Sequence, residues 1–139
     1  SLPRQRQMCK ETGVYYGSEW GAKAQKSEGD PALRACFEAP VWNDLSEWIS
    51  KLAAAKKSSN ALQYGDFRSV VLTNRQCIFE RKTDQERVLV AINADENEYT
   101  AHFDAGCGTA IDLITGEPHD FGGGSKLPPY SAYFWKCEH

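Results

Sequence analysis

The spacing of apolar residues changes near residue 60, and this change constrains the fold more than any other feature of the sequence. Before it, large apolar side chains recur at steps of three and four residues: Trp42, Leu45, Trp48, Ile49 and Leu52. This spacing predicts one amphipathic α-helix over residues 43–57 with a single apolar face. Asn43 suits the N-cap, and Lys56 and Lys57 suit the negative end of the helix dipole.

After residue 60 the chain consists of short β-prone runs separated by turn residues. The predicted strands cover residues 67–73, 77–81, 87–93, 98–103, 109–114, 118–121 and 130–137. Strands at this spacing, with no helix between them, indicate an antiparallel β-sandwich. Residues 88–92 are apolar on both faces, which predicts a central strand. The expected fold is therefore mainly β, a sandwich preceded by one long amphipathic helix and an irregular N-terminal segment.

The first 40 residues fit neither pattern. Residues 13–17 have the composition of one short buried strand between glycines, and residues 18–40 form a long irregular loop. A loop of this length inside a compact domain is usually functional, or else its structural surroundings are missing from the sequence. We favour the second interpretation.

Length and charge exclude several functional classes. A chain of 139 residues corresponds to about one compact domain. It is too short for an eight-stranded β/α barrel, which needs at least roughly 200 residues. The net charge is −3 and no basic cluster is present, so we expect no nucleic-acid partner. Apolar runs such as residues 88–92 are far shorter than the roughly 20 residues that span a bilayer, so we expect no membrane partner.

The cysteines and histidines predict neither a metal site nor a disulfide framework. The five cysteines, at positions 9, 36, 77, 107 and 137, are 27, 41, 30 and 30 residues apart. We expect reduced, mostly buried thiols, which indicates either a reducing compartment or an exported protein that needs no disulfides. Of these we favour a cytoplasmic location. His102, His119 and His139 have no ligand at metal-binding spacing, and the glycine-rich residues 122–125 predict a hairpin connection. We therefore expect no metal ion and no cofactor.

Several segments occur in an order known from one enzyme family. Residues 14–21 (VYYGSEWG) are followed by residues 30–34 (DPALR), the amphipathic helix, residues 61–67 (ALQYGDF) and residues 126–132 (KLPPYSA). This series resembles the end of the catalytic barrel and the C-terminal domain of the α-amylase family of glycoside hydrolases, family 13. The resemblance covers nearly the whole chain.

The resemblance implies a division into two parts. Residues 1–60 would be the remnant of the end of a β/α barrel, and residues 61–139 a Greek-key C-terminal β-sandwich. The family's catalytic carboxylates and its transition-state-stabilising aspartate come from earlier barrel strands, upstream of residues 14–21. Glycoside hydrolysis needs two carboxyl groups about 5 to 9.5 Å apart on a rigid scaffold. We therefore expect no catalytic residue in this chain, which should be inactive alone.

The resemblance also implies candidate substrate contacts in the intact parent. Glu19, Asp30 and Arg34 would lie on the rim of the active cleft, where carboxylates accept and guanidinium groups donate hydrogen bonds to sugar hydroxyls. The alternative is a local ion pair or a solvated loop. The candidates for stacking on sugar rings are Trp20, Trp135, Tyr130 and Tyr133. The alternative, packing in the core or between domains, is favoured for all four.

Three functional hypotheses follow. In the favoured one, the chain is the non-catalytic part of an enzyme that hydrolyses α-glucosidic bonds with retention, as an α-amylase, cyclomaltodextrinase, neopullulanase or α-glucosidase does. Its partners would be the remainder of the barrel and, in the parent, an α-glucan. In the isolated chain, the apolar face of the helix would dock on the sandwich or mediate self-association. The second hypothesis is a carbohydrate-binding module that uses surface aromatics, and the third is an autonomous enzyme.

Overall fold

The computed structural model describes residues 16–138. The chain forms two compact units, one up to Lys51 and one from Leu52 onward. The units divide inside the long helix, whereas the change of sequence pattern lies after it, and the domain boundary at residue 60 stays a prediction. Between residues 16 and 138, no helix combines the length and the apolar character needed to cross a membrane.

The first unit consists of short helical turns followed by a long helix. The turns are two 3-10 helices, Ser18–Trp20 and Lys26–Glu28, and the four-residue α1, Asp30–Leu33. The region predicted as a loop over residues 18–40 is therefore mostly irregular, as expected. Of the strand predicted over residues 13–17, residues 13–15 lie outside the described part of the chain, and Tyr16 and Gly17 form a turn instead.

The long helix, α2, covers Asp44–Ser58 and agrees with the prediction to within one residue at each end. Asn43 accepts a hydrogen bond from the Ser46 backbone N–H at 3.1 Å, so Asn43 is the N-cap as predicted. Lys56 and Lys57 lie in the last turn, where they complement the helix dipole.

Antiparallel strands dominate the second unit, which also contains the short helix α3, Asn60–Tyr64. The strands are β1 Asp66–Leu72, β2 Gln76–Lys82, β3 Arg87–Asn93, β4 Tyr99–Ala101, β5 Thr109–Asp112, β6 Pro118–Asp120, β7 Ser125–Leu127 and β8 Ser131–Cys137. They form a six-stranded sheet of order β1-β2-β3-β8-β5-β6 and a two-stranded sheet of β4 and β7. The neighbours β3 and β8 are far apart in sequence, which is typical of Greek-key connections. The prediction of a mainly β antiparallel sandwich is confirmed.

The main apolar core contains residues from both sheets. Ile78, Leu89 and Trp135 of the six-stranded sheet are buried in one cluster with Ala101 and Leu127 of the two-stranded sheet. Burial of each of the larger side chains contributes roughly 1.5 to 3 kcal/mol to the stability of the fold. This cluster is therefore the main source of stability in the second unit.

A smaller apolar cluster involves the residues of β3 that alternate with those of the main core. Val88 and Val90 are buried there with Ala61 of α3, while Leu89 and Ala91 belong to the main core. Successive residues of a strand point to opposite faces, so β3 is buried on both sides. The prediction of a central strand over residues 88–92 is confirmed, except that Ile92 at its end is exposed.

Two strand predictions are wrong in detail. Strand β7 begins at the last residue of the predicted connection 122–125, where the sequence predicts no strand, and it pairs with β4. Only Ser125 and Leu127 of this strand are buried, on either side of the exposed Lys126, and such a short alternation gives little signal. The last strand begins at Ser131 and leaves Tyr130 outside, because Tyr130 belongs to a turn with a positive φ of 50°.

The expectation of reduced thiols is wrong for one pair of cysteines. Cys107 and Cys137 form a disulfide, with their Cα atoms 6.2 Å apart. The two residues are 30 positions apart in sequence and meet because β5 pairs with β8. Cys36 is free and exposed and Cys77 is free and half-buried, while Cys9 lies outside the described residues.

Strand β1 forms one edge of the six-stranded sheet. Its pairing with β2 is regular from Asp66 to Ser69, and the register then shifts between Ser69 and Val71. Such an irregularity is a β-bulge, which bends the strand and increases its local twist.

Candidate substrate-rim segment

The candidate rim residues Glu19 and Trp20 lie on a tight 3-10 turn that a glycine makes possible. Gly17 precedes this turn with φ of 84°, in the left-handed region that a residue with a side chain rarely adopts. A Cβ atom at this position would lie 2.9 Å from the Phe37 ring. Glycine is therefore required both for the backbone conformation and for the close approach of Phe37.

The N-terminus of α2 fixes this turn through two side chains. The Ser46 hydroxyl donates a hydrogen bond to the Glu19 carbonyl at 2.7 Å, and the Asn43 amide nitrogen donates one to the Trp20 carbonyl at 2.9 Å. Ser46 is buried. Asn43 thus caps α2 with its oxygen and holds the rim turn with its nitrogen.

Aromatic contacts position the Trp20 ring. The Trp20 and Phe37 rings meet edge to face with centroids 5.2 Å apart, and Tyr16 approaches Phe37 in the same manner at 6.0 Å. Both the Glu19 and Trp20 side chains are half-buried. The rings pack in the way expected for aromatic pairs, so Trp20 has a packing role in addition to any contact with sugar.

Asp30 and Arg34 lie at opposite ends of α1. Asp30 begins the helix, and the Arg34 backbone N–H donates a hydrogen bond to the Asp30 carbonyl at 3.0 Å. Both residues are exposed. Between residues 16 and 138, no salt bridge joins Asp30 to Arg34, and no hydrogen bond or salt bridge links either side chain to Glu19. The three candidates share one segment, but their side chains do not form a connected cluster.

The same segment forms a groove that the sequence did not indicate. Its volume is about 190 Å³, and it is lined by Tyr16, Leu33 and Phe37 together with small residues and Lys23. The groove combines aromatic and aliphatic side chains with one cation, which suits a partly apolar ligand. Phe37 organises the segment, and nothing in its sequence surroundings distinguishes it from other loop aromatics.

Trp135, the second stacking candidate, has a structural role. Its side chain is 2% exposed, and its ring is stacked with His119 at 4.2 Å and with Tyr133 at 5.3 Å. Burial lowers the pKa of His119, against a smaller opposing effect of the Asp120 charge, so the imidazole is neutral near neutral pH. With its ring covered in this way, Trp135 belongs to the core, the alternative favoured from the sequence.

Metal-ligating side chains do not cluster in the described part of the chain. No group of three or more histidine, cysteine or carboxylate side chains among residues 16–138 has a geometry that would hold a metal ion. The candidate residues of this segment are two carboxylates, one guanidinium and an aromatic ring, groups that can donate and accept hydrogen bonds or pack against a sugar ring.

A curated relative is similar to this chain in sequence. An α-amylase from Niallia circulans is 32% identical over 99 residues, which are 70% of this chain and 18% of that protein. The chain therefore spans about a fifth of the length of the curated relative it matches. No profile of a known protein family matches the chain.

Solved structures share the fold. A crystal structure of an AmyP variant in complex with maltotriose has a TM-score of 0.72 at 23% identity and covers 89% of this chain and 31% of AmyP. An Anoxybacillus α-amylase has a TM-score of 0.69 at 19% identity, and the match covers 78% of this chain and 25% of that enzyme. CldA, a cyclomaltodextrin glucanotransferase, has a TM-score of 0.66 at 23% identity, and the match covers 91% of this chain and 29% of CldA. The sequence match and the shared fold together show that this chain belongs to the α-amylase family.

Proposed function

We propose that this chain is the non-catalytic C-terminal part of an α-amylase-like glycoside hydrolase and that it stabilises the catalytic barrel of a longer protein. The parent would act on α-glucans and hydrolyse α-glucosidic bonds with retention. The support from the comparisons is that the relatives are larger proteins, with names or bound ligands that point to α-glucans.

The apolar face of α2 is the observation that carries the proposal. On α2, Trp48 is 47% exposed, and Leu45 and Leu52 on the same face are exposed as well. Trp42, two residues before α2, is 70% exposed. Large apolar side chains that are exposed together mark a surface that packs against another element. Each would contribute roughly 1.5 to 3 kcal/mol if it were buried. A barrel that packed against this face would gain much of its stability there.

Three carboxylates of the second unit are unsuited to general acid catalysis. The pKa values of Glu80, Glu86 and Asp95 are all lowered, which keeps these groups ionised at neutral pH. The general acid of a glycoside hydrolase needs the opposite, a carboxyl group with a raised pKa. None of these three groups therefore suits that role, and we propose that the isolated chain has no hydrolytic activity.

Glu19, Asp30 and Arg34 remain our proposed rim contacts in the parent. The fixed turn that carries Glu19 and the exposure of Asp30 and Arg34 support this role, because hydrogen-bonding groups at a cleft rim must be accessible and anchored. The absence of an ion pair between Asp30 and Arg34 in the described residues leaves both side chains available to a ligand.

Sedimentation velocity of the isolated chain tests the proposed role of α2. We expect association that increases with concentration, together with binding of a hydrophobic dye, because the apolar face of α2 lacks its barrel. The double variant Trp42→Ser, Trp48→Ser should be monomeric and bind little dye. Tyr64→Ser is the matched control, since Tyr64 is 78% exposed and lies outside this face. A wild-type chain that is strictly monomeric at high concentration and binds no dye would contradict the proposal.

A sugar-binding module is the second candidate function. Of the stacking candidates in the second unit, Trp135 is buried and Tyr133 is half-buried, so this hypothesis depends on Tyr130. Tyr130 has the required exposure, at 72%.

A further inference from the structure

The disulfide between Cys107 and Cys137 joins two sulfur atoms with different access to solvent. Cys137 lies at the end of β8 and is 7% exposed. Cys107 is half-buried and lies in the irregular segment between β4 and β5, flanked by the exposed residues Gly106 and Gly108. Neither glycine has a side chain that could cover the crosslink. A thiol in solution therefore reaches the Cys107 sulfur more readily than the Cys137 sulfur.

A positively charged group lies beside the less accessible sulfur. Arg87 Nη1 donates a hydrogen bond to Cys137 Sγ at 3.8 Å, and the Arg87 side chain is only 15% exposed. A Cβ atom at Gly106 would lie 3.0 Å from the same Nη1 atom, so the guanidinium group also lies against the segment that carries Cys107. A guanidinium group in this position stabilises negative charge on Cys137.

Glu80 holds the Arg87 side chain in place without neutralising the local positive charge. Its carboxylate accepts a hydrogen bond from Arg87 Nε, and it also accepts hydrogen bonds from Arg68 Nε at 3.1 Å and Arg68 Nη2 at 3.3 Å. One carboxylate is therefore shared by two guanidinium groups. This arrangement leaves an excess of one positive charge in the cluster of Arg68, Glu80 and Arg87.

Two other carboxylates near the crosslink in sequence have hydrogen-bond partners of their own. Asp104 accepts a hydrogen bond from the Gly106 N–H at 2.9 Å, and Glu138 accepts one from the Thr109 hydroxyl at 3.1 Å. Within residues 16–138, neither carboxylate forms a salt bridge with Arg87. The Arg87 guanidinium is thus the charged group that contacts the Cys137 sulfur.

We propose that the Cys107–Cys137 disulfide is a reversible redox modification site, reduced by a dithiol that attacks Cys107 and displaces the Cys137 thiolate. The attacking thiolate forms a bond to Cys107 Sγ, and the bond between the two protein sulfur atoms breaks, with its electron pair going to Cys137 Sγ. The second thiolate of the reductant then displaces Cys107. The reductant ends as a disulfide, and the protein gains two electrons and two protons.

Arg87 accelerates the first of these steps. The rate of thiol–disulfide exchange rises as the pKa of the leaving thiol falls, and a neighbouring guanidinium lowers the pKa of a thiol. Reduction also removes the covalent link between β8 and the segment that carries Cys107. The stability of the second unit would therefore follow the redox state of its surroundings, independently of the proposed support of a barrel.

The rate of reduction by dithiothreitol tests the role of Arg87. Rapid alkylation and mass spectrometry count the reduced molecules in a chain whose other cysteines, Cys9, Cys36 and Cys77, are replaced by alanine. In this background, Arg87→Gln should slow reduction at neutral pH about threefold to tenfold, because the leaving thiolate loses its cation. A merely structural role predicts the opposite, since a loosened fold exposes the disulfide and speeds its reduction.

Arg68→Gln is the matched control. Arg68 shares the Glu80 carboxylate with Arg87, but it donates no hydrogen bond to Cys137. Its replacement should leave the rate of reduction within about twofold of the background chain. An equal slowing in Arg68→Gln and Arg87→Gln would overturn the assignment of the effect to the contact with Cys137.

Glutathione identifies the attacked sulfur in the wild-type chain. Peptide mapping after acid quenching should find the mixed disulfide on Cys107 and the free thiol on Cys137. With Cys107→Ser in the alanine background, Cys137 is the only thiol, and the pH dependence of thiolate absorbance should have a midpoint below about 8.5, the usual pKa of cysteine. Arg87→Gln should raise this midpoint.

Three results would overturn the proposal. They are an unchanged or faster reduction of Arg87→Gln, a mixed disulfide formed mainly on Cys137, and a Cys137 midpoint that Arg87→Gln does not raise. None of them bears on barrel support, which is tested through association of α2.

Discussion

The Glu86 carboxylate accepts a hydrogen bond from the Ala61 backbone N–H at 2.8 Å, and thereby joins the start of α3 to strand β3. The same carboxylate lies 3.1 Å from the Lys136 ammonium group on β8. Glu86 is nearly buried, whereas the Lys136 side chain is about half-exposed. A hydrogen bond to a charged group is worth more inside a protein than an ion pair open to solvent. The two partners of Glu86 should therefore contribute unequally to stability.

Replacement of Glu86 by Gln should lower the free energy of unfolding by roughly 1 to 3 kcal/mol, because a neutral amide satisfies the Ala61 N–H and Lys136 less well. Lys136→Gln should lower the free energy of unfolding by less, at most about 1 kcal/mol. Urea unfolding monitored by circular dichroism measures the change in each variant. Equal losses in the two variants would show that the ion pair, and not the buried hydrogen bond, is the stronger contact.

Acid should destabilise the second unit through two glutamates. Hydrogen bonds from Arg68 first, and from Arg87, lower the pKa of Glu80 below its usual 4.5 despite partial burial. For Glu86, burial raises the pKa, but hydrogen bonds from Ala61 and Lys136 outweigh it and the net change is downward. A carboxyl group with a lowered pKa in the folded state stabilises the fold above its unfolded pKa, and this contribution is lost as the pH falls through the folded value.

We therefore expect the free energy of unfolding to be nearly constant from pH 7 to about 5 and to fall below about pH 4.5. The double variant Glu80→Gln, Glu86→Gln should be less stable at neutral pH and should lose less stability on acidification. Urea titrations at half-unit pH steps measure this slope. An unchanged slope in the double variant would assign the acid sensitivity to other groups.

Gly65 should tolerate no side chain. A Cβ atom there would lie 2.5 Å from the Ala61 carbonyl oxygen and 2.8 Å from the Lys82 backbone nitrogen, and backbone atoms cannot rotate away. Gly65→Ala should lower stability by about 1 to 3 kcal/mol through overpacking. Gly108→Ala is the control, because no atom lies within 4 Å of its Cβ position. Thermal unfolding of both variants should show a marked loss for Gly65→Ala alone.

The disulfide between Cys107 and Cys137 should make stability sensitive to reductant. A crosslink that closes a loop of this length stabilises a fold by roughly 2 to 4 kcal/mol. A Cys107→Ala, Cys137→Ala variant should unfold at a lower urea concentration and show no further response to dithiothreitol. The control Cys36→Ala, Cys77→Ala should retain the response, since both of these thiols are free. Reductant insensitivity of the wild type would contradict the pairing.

Asn43 should affect the rim turn and α2 separately. Asn43→Ala removes the helix cap and the bond to the Trp20 carbonyl, and should cost about 0.5 to 2 kcal/mol. Asn43→Ser keeps a capping oxygen but lacks the amide donor, so it should preserve helicity while the Trp20 fluorescence changes. Circular dichroism and tryptophan emission distinguish the two effects. Identical behaviour of both variants would mean that the amide bond to Trp20 has no separate role.

Local sequence signals are sufficient for α2 and β3. An apolar stripe with an Asn43 cap determines a helix whatever surrounds it, and a run of apolar residues such as residues 88–92 belongs in the middle of a sheet. Pairings between distant segments leave no such local signal. Strand β7 forms because residues 125–127 pair with β4, and the disulfide forms because β5 pairs with β8.

Local sequence also does not predict which aromatic side chains are buried. Tyr130 and Trp135 belong to one alternating run in the sequence, yet one is exposed and the other is buried. The difference arises from the turn that holds Tyr130 outside β8 and from the stacking of His119 on Trp135. In the rim segment the family resemblance indicated Glu19, Asp30 and Arg34, while the contribution of Ser46 to the position of Glu19 depends on a tertiary hydrogen bond.

The register shift between Ser69 and Val71 has a consequence for solubility. An open sheet edge with evenly spaced N–H and C=O groups acts as a template on which strands of other molecules can add. At this edge the bulge breaks the even spacing of the β1 backbone groups. The bulge therefore disfavours the addition of a strand from another molecule at β1, although β1 exposes Phe67 and Leu72 to water.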